Sequence, residues 1–148
     1  MNDAQPLFER VALIGIGLIG SSLARRINRD RLARHVAAAA RTQKSLDTSL
    51  KLGLVDSAAL DPRDVVRDAD LVIICSPGGT YPEIGAAIKP VLKAGAILSD
   101  VGSVKEAVVR DLGPHVPDGV HFVPAHPVAG TEHSGPEAGF AELFEERW

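Results

Sequence analysis

The chain has 148 residues and a formal net charge of −3, a length that fits one domain able to bury roughly 70% of its unfolded surface without disulfides. The slight negative balance offers no basic face for nucleic acid, and the single cysteine, Cys75, cannot form an internal disulfide. The N-terminal residues lack the basic and apolar regions of a signal peptide, and the apolar stretches VALIGIGLIG and LVIIC are too short or too glycine-broken to span a bilayer, so a cytoplasmic protein without a membrane segment is expected.

Residues 11–16 (VALIGI) form a short β-branched run, the pattern of a strand buried on both faces of a parallel sheet. Residues 18–28 follow with the spacing of an amphipathic helix whose first turn is small. The cycle repeats, with a strand over residues 35–41 (HVAAAAR) and a helix over 44–52 that Gly53 stops in the left-handed conformation. A short third strand is expected at 54–57, and Asp61-Pro62 reads as an N-cap and first position of a short helix. Leu71 to Cys75 is a strand; 81–92 is a helix interrupted by Pro90; 96–100 (AILSD) is a strand. Residues 105–112 form a helix ended by Gly113 and Pro114, and 120–125 (VHFVPA) is a last strand. Strands alternating with helices at this spacing predict an α/β fold, a doubly wound and mainly parallel sheet of Rossmann type, in one dinucleotide-binding domain over residues 1–148.

Gly15, Ile16, Gly17, Leu18, Ile19 and Gly20 stand in G-x-G-x-x-G spacing at the junction of the first strand and helix. In that context Gly15 permits a tight turn, Gly17 lets backbone approach a pyrophosphate, and Gly20 lets helix and strand pack closely. The helix N-terminus presents free N–H groups to the phosphates. About 20 residues on, where an acidic residue usually binds the ribose 2′-hydroxyl, stand Ala40, Arg41 and Thr42. Arg41 suits a 2′-phosphate, which favours NADP over NAD.

Ligands of such sheets bind outside the carboxyl ends of the strands. Those ends carry Cys75, Ser76 and Pro77, then Asp100, Val101, Gly102, Ser103, Val104 and Lys105, and finally His126. Cys75 reads as a small residue beside the cofactor rather than a nucleophile, and Ser103 is also compatible with a helix N-cap. His35, His115 and His121 sit at element ends and read as structural or solvated. No HExxH pattern, paired cysteine or carboxylate cluster argues for a metal.

GIGLIGSSLA, SDVGSVK and HPVAGTEHSGPEAG together, in this order and spacing, resemble the motifs of the prephenate and arogenate dehydrogenases, the cyclohexadienyl dehydrogenases of tyrosine biosynthesis. The resemblance covers essentially the whole chain. It implies oxidative decarboxylation of prephenate or arogenate with NADP or NAD as hydride acceptor. His126 is implied to bind the substrate hydroxyl and take its proton, and Ser103 to orient that hydroxyl and the nicotinamide. Thr131 and Glu132 match residues that line or gate the substrate pocket; His133 is assigned no role. Family members continue into an all-helical region that dimerises them and supplies cationic groups to the substrate carboxylates. The expectation is thus a fragment of a longer homodimeric enzyme, the alternative being a stand-alone NADP-binding module.

Overall fold

The computed structural model describes residues 5–131 and 133–147. The sheet is built around β1 (Phe8–Ile14) and β2 (Ala33–Ala39), whose last four residues are all buried. With β3 (Ser57–Ala59), β4 (Leu71–Ile74), β5 (Ile97–Asp100) and β6 (His121–Val123) they form a six-stranded sheet in the order β3-β2-β1-β4-β5-β6. Every neighbouring pair is parallel. The chain winds outward from β1 in both directions, so the crevice of the sheet opens where β1 lies between β2 and β4.

The connections run through α1 (Leu18–Arg29), α2 (Gln43–Lys51), α3 (Pro62–Val66), α4 (Tyr81–Ile88) and α5 (Lys105–Leu112). Because side chains of a strand alternate between faces, β1 sends Val11 and Leu13 to one core with Ala24 and Ile27 of α1. It sends Ala12 and Ile14 to another, with Tyr81, Ile88, Val108 and Leu112 of α4 and α5. Burial on both faces is why these strands read as continuous apolar runs. Among the described residues no helix is long and apolar enough to cross a membrane.

The elements depart from the sequence expectation at their ends. The first strand stops at Ile14, because Gly15 takes φ +102 and turns the chain. The third strand lies at 57–59 rather than 54–57: the Leu54 N–H is still engaged by the Ser49 carbonyl at 3.0 Å as the chain leaves α2, and Leu54 and Val55 pack into the core instead. The helix expected over 81–92 ends at Ile88 and gives way to a 3₁₀ turn, Lys89–Val91, around Pro90. β6 holds three residues only, since Pro124 has no N–H to continue the ladder.

Candidate active site

Gly17 caps α1 with extended backbone, without a side-chain cap and with no acidic residue in the first turn. The helix therefore presents its unpaired N–H groups and positive end to an incoming anion. The turn before it is pinned to the sheet on both sides: Gly15 N–H donates to the Ala39 carbonyl at 2.8 Å, and Cys75 N–H to the Ile14 carbonyl at 2.7 Å. A Cβ on Gly20 would lie 2.2 Å from the Gly15 oxygen, so only glycine allows this approach of helix and turn.

A cleft of about 490 Å³ opens over the turn. It is lined by Gly15, Ile16 and Gly17 from β1–α1, by Ala40, Arg41 and Ser45 after β2, and by Cys75, Ser76 and Pro77 after β4. Of the cofactor residues named from the sequence, Leu18, Ile19 and Gly20 form the first turn of α1 and do not line it. Thr42 spends its side chain as the N-cap of α2, accepting from Ser45 N–H at 3.2 Å. Burial, with the Asp100 charge second, pushes the Cys75 thiol up to about 12, so at neutral pH it carries a proton and is a poor nucleophile.

The outer wall of the cleft comes from Gly135 and Pro136, which sequence reasoning did not assign. They are held there by α1: Arg25 donates to the Pro136 carbonyl at 3.0 Å, and Phe140 N–H to Ser22 Oγ at 3.1 Å. Arg26 and Arg29 reach Glu145 at 3.4 and 3.2 Å. The signal available in the sequence was the charge match of Arg25, Arg26 and Arg29 with Glu142 and Glu145, but matching charges do not say which segments meet.

Further along the same edge, His126 follows β6, is exposed, and lines a largely apolar cavity of about 330 Å³ with Leu23, Ile73, Asp100, Val101 and Phe144. Ser103 and Gly102 line a different cavity of about 370 Å³, with Tyr81 and Val104. The structure thus does not bring Ser103 and His126 into one cavity, and Val101 and Gly102 border neither the same cavity nor the nucleotide cleft. Ser103 is not the cap of α5; that position is Val104, which makes no side-chain cap bond. Thr131 is exposed, and its hydroxyl accepts from His133 N–H at 3.2 Å; Glu132 lies outside the described residues. His35 pairs with Ser57 Oγ at 2.8 Å, and His121 is exposed on β6.

Between the two cavities lies a residue the sequence marked only as a strand end. The Asp100 carboxylate, 1% exposed, accepts from Gly102 N–H at 2.7 Å, Lys105 Nζ at 2.6 Å and Ala125 N–H at 3.2 Å. Tyr81 OH approaches it at 3.4 Å, and burial, then the Asp100 charge, raises the phenol above its ordinary range. Among the described residues no cluster of three or more His, Cys, Asp or Glu is arranged to hold a metal.

A parallel sheet in this order, with a glycine turn at its crevice, is shared by many nucleotide-binding proteins, so comparison decides between them. The family model for "Prephenate dehydrogenase, nucleotide-binding domain" matches residues 23–148. The chain belongs to this prephenate dehydrogenase family. Within it, cyclohexadienyl dehydrogenase of Zymomonas mobilis is 41% identical over 140 residues, which cover 95% of this chain and 47% of that protein. Prephenate dehydrogenase of Bacillus subtilis is 30% identical over 138 residues, 93% of this chain and 37% of that protein. Among solved structures, prephenate dehydrogenase of Aquifex aeolicus in complex with hydroxyphenyl propionate and NAD+ superposes with a TM-score of 0.84 at 28% identity, over 99% of this chain and 50% of that one. Synechocystis arogenate dehydrogenase gives the same TM-score and identity over 93% and 48%. The chain spans half the length, or less, of these relatives.

Proposed function

We propose that this chain is the NAD(P)-binding half of an enzyme that oxidatively decarboxylates prephenate or arogenate in tyrosine biosynthesis, in the cytoplasm. The observation that carries the reading is the placement of His126 beside an apolar cavity on the same carboxyl edge as the nucleotide cleft. The uncapped N-terminus of α1 and the open space over Gly17 fit a pyrophosphate. Nicotinamide, when bound, supplies the hydride acceptor. His126 takes the proton of the ring hydroxyl as carbon dioxide leaves and the ring becomes aromatic, and Ser103 orients that hydroxyl. Closing Ser103 toward His126 falls to bound substrate and cofactor, since catalytic hydrogen bonds are often long before they bind.

In this reading residues 1–148 are the dinucleotide-binding domain, ending in the active-site loop with Thr131 and Glu132 at the substrate. Further chain supplies the homodimer contact and the cations for the substrate carboxylates. The test is turnover of prephenate and of arogenate by this chain and by a version extended to the length of its relatives. Turnover by the extended protein is expected; oxidation of neither substrate there refutes the assignment and leaves a nucleotide-binding module.

NADP is the preferred cofactor in this proposal, because Arg41 lines the cleft at the end of β2 and none of the described lining residues is acidic. A planar guanidinium pairs with a 2′-phosphate through two parallel hydrogen bonds. Arg41→Ala is expected to raise the Kd for NADP+ about tenfold or more, the worth of a charged hydrogen bond, and to leave NAD+ binding unchanged. Titration of both cofactors by quenching of protein fluorescence measures this, and tighter binding of NAD+ than NADP+ by the native chain overturns the preference.

A further inference from the structure

A carboxylate as buried as Asp100 must be fully partnered to remain charged. Its partners are drawn from separate parts of the fold. Gly102 N–H and Lys105 Nζ, both on Oδ2, lie at the two ends of the turn that carries Ser103. Ala125 N–H donates to Oδ1 while Lys105 Nζ also donates to the Ala125 carbonyl, so the peptide groups of Ala125 are gripped from both sides one residue before His126. Position 102 has no room for a side chain: a Cβ would stand 2.9 Å from Asp100 Oδ2 and 3.1 Å from the Tyr81 hydroxyl.

We infer that Asp100 is a positioning residue, whose carboxylate, together with Lys105, sets the turn bearing Ser103 against the strand exit bearing His126. The inference deepens the dehydrogenase reading and rests on it. With Asp100 buried and Lys105 half-buried, the ion pair is a weak source of stability, since desolvation of the carboxylate offsets much of the attraction. What the charged cluster adds is direction, since donors from the two segments converge on one anion. Such direction is needed here because β6 is a three-residue edge strand whose further described side-chain tether to β5 is Ser99 Oγ on the Val123 carbonyl at 2.7 Å. Misplacing a reacting group by about 1 Å can cost about 10²-fold in rate.

The experiment uses Asp100→Asn and Lys105→Met, alone and combined with His126→Asn, in the chain extended to the length of its relatives. Asp100→Asn is expected to lower kcat by about 10²-fold with the NAD(P)+ Kd unchanged. In the His126→Asn background it is expected to cost a clearly smaller factor, because the part exerted through His126 is already gone and only the part exerted through Ser103 remains. An undiminished kcat, or the same fractional loss in both backgrounds, overturns the proposal. A second readout needs no turnover: the ¹H–¹⁵N ring signals of His126, identified by their disappearance in His126→Asn, should shift or broaden in Asp100→Asn while those of His35 stay in place. If His126→Asn turns over like the native enzyme, the proton-transfer reading is what fails. The ring signals then decide the positioning claim alone, and unmoved signals end it. Should Asp100→Asn not fold, Lys105→Met carries the same comparisons, since its side chain is 34% exposed.

Discussion

Replacing His126 with Asn is expected to lower turnover of the chain extended to the length of its relatives by about 10²–10⁴-fold, the usual worth of a positioned general base, and to leave folding and cofactor binding intact. His126 stands past the end of β6 and is exposed, so no core packing is lost with it. The nucleotide cleft is built at the ends of β1, β2 and β4 and shares no lining residue with the cavity of His126. Asparagine keeps much of the size and hydrogen bonding of the imidazole but cannot accept the proton. The loss should fall on kcat and kcat/KM together, as for an interaction made only in the transition state. A kcat near that of the native enzyme would refute the role, and a lowered Tm or raised NAD(P)+ Kd would show that the residue serves structure instead.

Gly20→Ala should damage both stability and cofactor binding, for one steric reason. The added methyl would meet the Gly15 oxygen at 2.2 Å and its carbonyl carbon at 3.1 Å. Both are backbone atoms, fixed by the bonds from Gly15 to Ala39 and from Cys75 to Ile14, so no side chain can swing aside and α1 must lift from the turn. Overpacking of this kind costs about 1–3 kcal/mol, read as a fall in the unfolding free energy in urea. Because Gly15 also lines the cleft, the same displacement should raise the NAD(P)+ Kd at least about tenfold, or roughly 1.4 kcal/mol. Gly17→Ala is the control: a Cβ there meets nothing within 4 Å and φ is −73, so stability should stay within about 0.5 kcal/mol while the methyl intrudes on the phosphate approach. Equal melts for Gly20→Ala and the native chain would mean that the close contact relaxes without cost.

Several of these features are legible in the amino-acid sequence. The apolar run of β1, the glycine turn after it, the left-handed stop at Gly53 (φ +70) and the Asp61 cap, which accepts from Arg63 N–H at 2.9 Å, depend on residues within a few positions of one another. Ends of elements are less legible. Whether Leu54 joins a strand depends on a hydrogen bond back to Ser49, and whether the strand at 120–125 runs its full length depends on where Pro124 meets the ladder.

Local sequence is enough to dictate the alternation of strands and helices, the crevice at the glycine turn and the set of residues that leave the strands at its carboxyl edge, because backbone preference and hydrophobic period are near-neighbour properties. Long-range packing alone settles that Gly135 and Pro136 close the cleft through Arg25, 111 residues before Pro136, that Ser103 and His126 line separate cavities, and that Asp100 ties their two segments together. Most of those contacts join residues far apart in the chain, and many other pairings of the same side chains are chemically equivalent. What selects one is the path of the backbone through the packed sheet, a sum of many small burial terms that no single motif records.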